Sequence, residues 1–211
     1  MKQYIIAIDG GTTNTRASLW QDPGVCVDMV KSDIGVRITS IEGSNASLKA
    51  AVKGLLEQLL ENNKIGYDAI DGIYACGNVL HVHDLVDFVS EEADIAGTHA
   101  AAKILGETEK TVKSLEVATG FGVRYTVPER IDITETAESV RVFFRVTDVY
   151  KKVQLVIETE SGEVIVKKAK SAVAPGEMES LEIPADKIAA LAASEDKKIT
   201  VYLRELGGNG K

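Results

Sequence analysis

Short apolar runs separated by turn residues open the chain. Residues 4–9 read YIIAID, a β-branched run that stops at Gly10 and Gly11. Residues 15–20 form the next extended stretch, and residues 25–31 follow the breaker pair of Pro23 and Gly24. Such runs with tight breaks predict three strands in an antiparallel meander.

The period then lengthens to that of a helix. Ser44 is a suitable N-cap, and leucines, alanines and valines recur every three to four residues up to Asn62 and Asn63. Residues 72–76 are again short and apolar, which predicts a buried strand that ends at Gly77 and Asn78. A second helix is predicted to begin at Asp84 or Val86 and to end near Leu105.

Beyond Gly120 the alternation has a period of two residues. Strands are predicted over residues 140–146, 153–157, 164–166, 178–183 and 199–203, with a short helix over residues 185–193. We therefore expect an α/β unit over residues 1–118, a small all-β sandwich over residues 121–205, and a tail over residues 206–211.

Composition narrows the class of protein. The 211 residues are 45% hydrophobic and 27% charged, which is typical of a globular chain. A formal net charge of −8 argues against a nucleic-acid partner. No apolar run reaches the ~20 residues of a membrane-spanning helix. Two cysteines and no signal-like start favour a cytoplasmic protein.

The loop after the first strand carries the clearest chemistry. Glycines allow backbone N–H groups to approach an anion, threonine hydroxyls add donors, and a carboxylate can hold Mg²⁺ through water. The alternative is a plain hairpin turn. The candidate phosphate and magnesium residues are Asp9, Gly10, Gly11, Thr12 and Thr13, with Asp9 as the metal ligand.

The run IAIDGGTTNTRASLW resembles the first phosphate loop of the sugar kinase, actin and heat-shock chaperone superfamily. It is most similar to the opening of 2-keto-3-deoxygalactonokinases, and the likeness extends to about Ile70. The resemblance implies a partial actin-like or ribonuclease H-like lobe that binds ATP phosphates and Mg²⁺. It also implies that Asn14 and Arg16 belong to the surrounding ATP site. A complete kinase of this kind also has a second nucleotide-binding lobe, for which the sequence shows no counterpart.

A second resemblance begins at Gly72. The run GIYACGN and the residues after it look like the last flavin-binding segment of FAD/NAD-dependent oxidoreductases, and the region up to about residue 205 looks like their C-terminal part. This resemblance implies flavin contacts for Gly77, Asn78 and Asp87. The GxGxxG motif of an FAD fold is missing from the chain.

Together these features predict a fusion of two fragments joined near Asp71. The first functional hypothesis is ATP-dependent phosphorylation of a 2-keto-3-deoxy sugar acid, with a small-molecule substrate and an incomplete site. The alternatives are a fragment of an FAD-dependent oxidoreductase and a non-catalytic binding module. A homo-oligomer or another chain is expected to supply the missing lobes.

Overall fold

Two compact units divide the chain, residues Met1–Thr108 and Glu109–Lys211. The structure, a computed structural model, describes residues 4–22, 24–42, 44–78, 80, 82, 86–105, 113–134 and 138–206. Within these residues the fold is a mixture of strands and helices in which strands predominate. None of the described helices is long and apolar enough to cross a membrane.

A four-stranded sheet forms the centre of the first unit. Its strands, in chain order, are β1 (Tyr4–Gly10), β2 (Thr15–Gln21), β3 (Val25–Ser32) and β4 (Ile70–Gly77). The spatial order is β3-β2-β1-β4. The first three strands are antiparallel neighbours, which confirms the predicted meander, whereas β4 runs parallel to β1.

The described residues of the first unit also form three α-helices, α1 (Arg37–Glu42), α2 (Ala46–Asn63) and α3 (Val86–Ile104), and a 3-10 turn at Tyr67–Ala69. Helix α2 contacts β2 and β3, and its Leu55 and Leu59 side chains enter the core of the sheet. Asn45 is the N-cap of α2, one residue after the predicted Ser44, whose hydroxyl still accepts a hydrogen bond from the Ala46 N–H at 3.2 Å. Helix α3 follows β4 in the chain and contacts it.

Two further sheets form the second unit. Its elements are β5 (Ser114–Thr119), β6 (Val123–Val127), β7 (Arg130–Asp132), β8 (Val140–Val146), β9 (Tyr150–Thr159), β10 (Val164–Val173), β11 (Glu179–Ile183), α4 (Ala185–Ala193) and β12 (Lys198–Glu205). A five-stranded sheet has the order β10-β9-β12-β5-β7, and a three-stranded sheet has the order β11-β8-β6. Side chains from both sheets, among them Phe144 and Ile157, share one apolar core. The strands predicted from two-residue alternation are confirmed, and α4 has the predicted bounds.

The boundary between the units lies earlier in the chain than the sequence predicts. The predicted division fell between residues 118 and 121, which assigned residues 114–118 to the first unit. In the structure β5 instead pairs in parallel with β12 and buries Leu115 and Val117 in the core of the second unit. Three strands, β5, β6 and β7, were not predicted. In the predicted tail Leu206 donates its N–H to the Lys152 carbonyl, and residues 207–211 lie outside the described residues.

Candidate functional site

A tight turn joins β1 to β2. Residues 9–16, which include the adjoining ends of both strands, are called the 9–16 loop. Gly10 pairs with Thr15 at the last step of the ladder. The Gly11 N–H then donates to the Asn14 carbonyl at 2.9 Å, which closes the turn. The predicted hairpin geometry and the predicted anion-binding residues therefore belong to the same loop.

Most polar side chains of this loop face solvent. Asp9, Thr12, Thr13 and Arg16 are exposed, and the Asn14 amide donates to the Thr13 hydroxyl at 3.3 Å. Asp9 and Arg16 are register partners on neighbouring strands, so they lie side by side on one face of the sheet. A carboxylate and a guanidinium are thus placed together at the base of the loop.

Residues 34–37, called the 34–37 segment, form hydrogen bonds with two backbone carbonyls of the 9–16 loop. The Val36 N–H donates to the Gly11 carbonyl at 3.1 Å, and the Arg37 N–H donates to the Thr12 carbonyl at 3.0 Å. In a trans peptide the C=O and the following N–H point in opposite directions. The N–H groups of Thr12 and Thr13 are therefore directed away from the 34–37 segment.

These two amides are available to a ligand. Within the described residues, neither the Thr12 N–H nor the Thr13 N–H donates a hydrogen bond to another group of the chain. Successive backbone N–H groups in a turn are donors of the kind that bind anions. The loop can therefore hold a phosphate oxygen with backbone donors, and the Thr12 and Thr13 hydroxyls lie beside them.

The second predicted motif lies at the same edge of the sheet. Gly77 at the end of β4 is the register partner of Gly10 at the end of β1. Its φ is +76°, and a Cβ built there would lie 3.1 Å from the Gly10 carbonyl oxygen and 3.8 Å from Asp9 Oδ1. Only glycine fits this backbone without strain. The structure thus brings Gly77, and Asn78 after it, beside the 9–16 loop.

Asp87 belongs to a different element from Gly77 and Asn78. It lies in the first turn of α3 and is exposed. Val89, two residues later, has its Cγ1 atom 3.6 Å from the position of a Cβ on Gly77, so the beginning of α3 packs close to the end of β4. Most of the residues between Asn78 and α3, including His81 and His83, lie outside the described residues.

Cys76 adjoins the carboxylate of the loop. It is the register partner of Asp9 and is half-buried. Burial raises the pKa of its thiol, and the negative charges of Asp9 and Glu92 raise that pKa further. The thiol is therefore protonated at neutral pH, which does not favour a nucleophilic role.

Asp9 is the residue of this site best suited to a metal ion. Among the described residues no group of three or more His, Cys, Asp and Glu side chains is placed to hold a metal. Mg²⁺ does not require such a cage, because it keeps several waters and is commonly held by one or two carboxylates together with substrate phosphates. An exposed carboxylate next to outward amides fits that mode of binding.

The sequence interpretation missed two parts of the site. Thr15 has a fully buried side chain whose hydroxyl donates to the Ile34 carbonyl at 2.9 Å. Gly35 packs against the backbone of the loop. Thr15 is one of several neighbouring threonines, so the local sequence did not distinguish it. No feature of the local sequence marked Gly35 as part of the site.

Comparison with known proteins yields no family. The sequence matches no protein-family model and no curated protein. Among solved structures, YeaZ from Pseudomonas aeruginosa overlaps 83% of this chain and 68% of its own, with 14% identity and a TM-score of 0.27. An uncharacterized protein with similarity to peptidase YeaZ, also from Pseudomonas aeruginosa, overlaps 85% of this chain and 66% of its own, with 12% identity and a TM-score of 0.27. Likenesses at this level assign neither a family nor an activity.

Proposed function

We propose that the 9–16 loop binds the phosphates of a nucleotide together with Mg²⁺. The observation that carries this proposal is the pair of outward N–H groups of Thr12 and Thr13, which the 34–37 segment holds in place through the opposite carbonyls. The exposed carboxylate of Asp9 is one residue before the glycine pair, within the reach of a hydrated cation bound to the same phosphates.

The sheet order supports a nucleotide-binding lobe. The order β3-β2-β1-β4, with a parallel fourth strand after a meander, is consistent with the partial actin-like or ribonuclease H-like lobe that the sequence resemblance implies. In open sheets ligands bind beyond the carboxyl ends of parallel strands. Gly10 and Gly77 are at those ends of β1 and β4.

The proposed chemistry is phosphoryl transfer from ATP to a 2-keto-3-deoxy sugar acid. In such a reaction the loop amides stabilise the charge of the transferred group, and Mg²⁺ held by Asp9 would neutralise part of the same charge. Little covalent chemistry is required of the protein. The outward Thr12 and Thr13 amides supply the donors, while Asp9 orients the hydrated cation. A second copy of the chain or another protein is proposed to supply the adenosine site.

Calorimetric titration with ATP tests the proposal, with and without Mg²⁺. We expect Asp9→Asn to weaken Mg-ATP binding about tenfold, which corresponds to ~1.4 kcal/mol. Without Mg²⁺ the same variant should bind ATP at least as tightly as the unchanged protein, because a carboxylate repels phosphate when no cation lies between them. Asp22→Ala, which removes an exposed carboxylate from the turn between β2 and β3, is the matched control.

Three results would contradict the proposal. They are the absence of ATP binding by the unchanged protein, equal Mg-ATP affinity in Asp9→Asn, and an equal loss in Asp22→Ala. The alternative proposal, a flavoprotein fragment with Gly77, Asn78 and Asp87 near the flavin, makes a different prediction. A yellow purified protein with flavin absorption bands would favour that alternative.

A further inference from the structure

We infer that Thr15 and Gly35 are positioning residues of the 9–16 loop. Thr15 bonds the loop to the 34–37 segment, and Gly35 lets that segment approach the loop closely. The inference rests on the proposed function, because it names the residues that keep the loop amides directed at the phosphate. Neither residue has a side chain that is placed to touch the ligand. Both determine which side of the loop faces the ligand.

Three hydrogen bonds join the segment to the loop. The Thr15 hydroxyl donates to the Ile34 carbonyl at 2.9 Å, and the N–H groups of Val36 and Arg37 donate to the carbonyls of Gly11 and Thr12. Thr15 is 0% exposed, so its hydroxyl has no water to replace Ile34 if the bond is lost. The loop is thus fixed at both ends of its turn.

Gly35 allows this close approach. A Cβ at residue 35 would lie 2.5 Å from the Asn14 nitrogen, 2.6 Å from the Gly11 oxygen and 2.6 Å from the Thr12 carbonyl carbon. All three atoms belong to the backbone, so no side-chain rotation can relieve the contact. Any larger residue at this position must move the loop away from the segment.

A loop without this support would bind phosphate less tightly. Ordering a flexible backbone costs conformational entropy, and a loop that orders only on binding takes this cost from the affinity. In the structure the carbonyls of Gly11 and Thr12 are turned inward by hydrogen bonds from within the chain, those of the Val36 and Arg37 N–H groups. The segment therefore supplies the ordering of the loop in advance.

The test compares two pairs of variants in the full chain by calorimetry with Mg-ATP. Thr15→Val removes the hydroxyl and keeps the branched shape, whereas Thr15→Ser keeps the hydroxyl. We expect Thr15→Val to weaken binding about tenfold and Thr15→Ser to stay within about threefold of the unchanged protein. Gly35→Ala should weaken binding by more than tenfold. Gly54→Ala, at a helix position where a Cβ meets open space, should leave it unchanged.

Amide NMR spectra separate positioning from a general loss of structure. In Thr15→Val and Gly35→Ala we expect the Thr12 and Thr13 amide signals to shift in the free protein and to respond less to Mg-ATP. Signals from the β1–β2 strand pairs away from the loop should stay in place. Each titration is made below the melting temperature of the variant, measured by circular dichroism.

The outcomes distinguish this inference from the proposed function. If the unchanged protein does not bind Mg-ATP, both the proposed function and the inference are wrong. If it binds and folded Gly35→Ala and Thr15→Val bind equally well, only the inference is wrong. Equal losses in Thr15→Ser and Thr15→Val would also overturn the inference. Thr15→Ser keeps the hydroxyl, so an equal loss there would show that binding responds to any change of packing at residue 15 and not to the hydroxyl in particular.

Discussion

At the scale of single residues, the position of Asp9 next to Cys76 affects the pKa of the Cys76 thiol. The two residues come from segments 67 positions apart in the chain, yet β1 and β4 place them as register partners. Burial raises the pKa of the Cys76 thiol, and the Asp9 and Glu92 carboxylates raise it further. The thiol therefore reports on the charge at the candidate metal ligand.

We expect Asp9→Asn to lower the pKa of Cys76, because a negative charge beside the thiolate is removed. The rate of alkylation by iodoacetamide at about pH 8 should then rise about twofold or more. The measurement uses a Cys26→Ser background, so that Cys76 is the only thiol. An unchanged rate profile between pH 7 and 10 would show that the Asp9 carboxylate does not act on Cys76.

Local sequence identifies most of the residues in the candidate site because they lie together in the 9–16 loop. Glycines, hydroxyls and a carboxylate directly after an apolar run are all visible within eight residues. Gly35 was not visible, because its importance comes from a tertiary approach to residues about 20 positions earlier. Nor did the sequence reveal that Gly77 and the loop share one edge, which depends on the parallel pairing of β4 with β1.

At the scale of elements, one carboxylate adds hydrogen bonds to the apolar contact between α2 and β3. Asp28 Oδ2 accepts hydrogen bonds from the side-chain amides of Asn62 and Asn63 at 3.1 and 3.0 Å, and Oδ1 accepts from the Met29 N–H. The Asn62 bond, with smaller contributions from Met29 and Asn63, holds the pKa of Asp28 below its ordinary value despite the opposing effect of burial. The end of α2 is therefore joined to the outer strand of the sheet.

We expect Asp28→Ala to lower the free energy of unfolding by about 1 kcal/mol at neutral pH. Because the folded-state pKa lies below the unfolded one, this stabilisation is present above the unfolded-state pKa and is lost as the pH falls through the folded-state pKa. Urea unfolding at a series of pH values should show the two proteins converging in acid. A difference that stays constant down to about pH 2 would contradict this account.

The predictable elements were the long ones with a clear period. Helix α2 shows its apolar spacing over 18 residues, whereas α1 has only six residues and too few turns to establish a period. Strands β5 and β7 are also short, and their buried residues number only two and one. Their stability comes from partners distant in sequence, which a local pattern does not contain.

At the scale of the whole molecule, the unit boundary makes a prediction about fragments. Residues 109–211 should fold alone, because β5 supplies Leu115 and Val117 to the core and connects β7 to β12. Residues 121–211, which begin at the boundary predicted from the sequence, lack β5 and should not fold. Loss of two buried side chains costs several kcal/mol, a large part of the 5–15 kcal/mol that stabilises a typical domain.

Far-ultraviolet circular dichroism and urea unfolding of the two fragments measure this difference. The longer fragment should show a cooperative transition, and the shorter one should show none. Two equally cooperative fragments would mean that β5 is dispensable. The division of the chain would then lie where the sequence analysis placed it.

The position of β12 has a consequence for synthesis on the ribosome. Although it follows β5 through β11 in the chain, it lies between β9 and β5 in the sheet. A growing chain emerges from its N-terminal end, so the other strands leave the ribosome while the place of their central neighbour is still empty. Until residues 198–205 emerge, the facing edges of β9 and β5 are exposed to other nascent chains. Early termination before Lys198 therefore yields a polypeptide with two open strand edges, whose unpaired backbone N–H and C=O groups make it a natural target for chaperones and proteases.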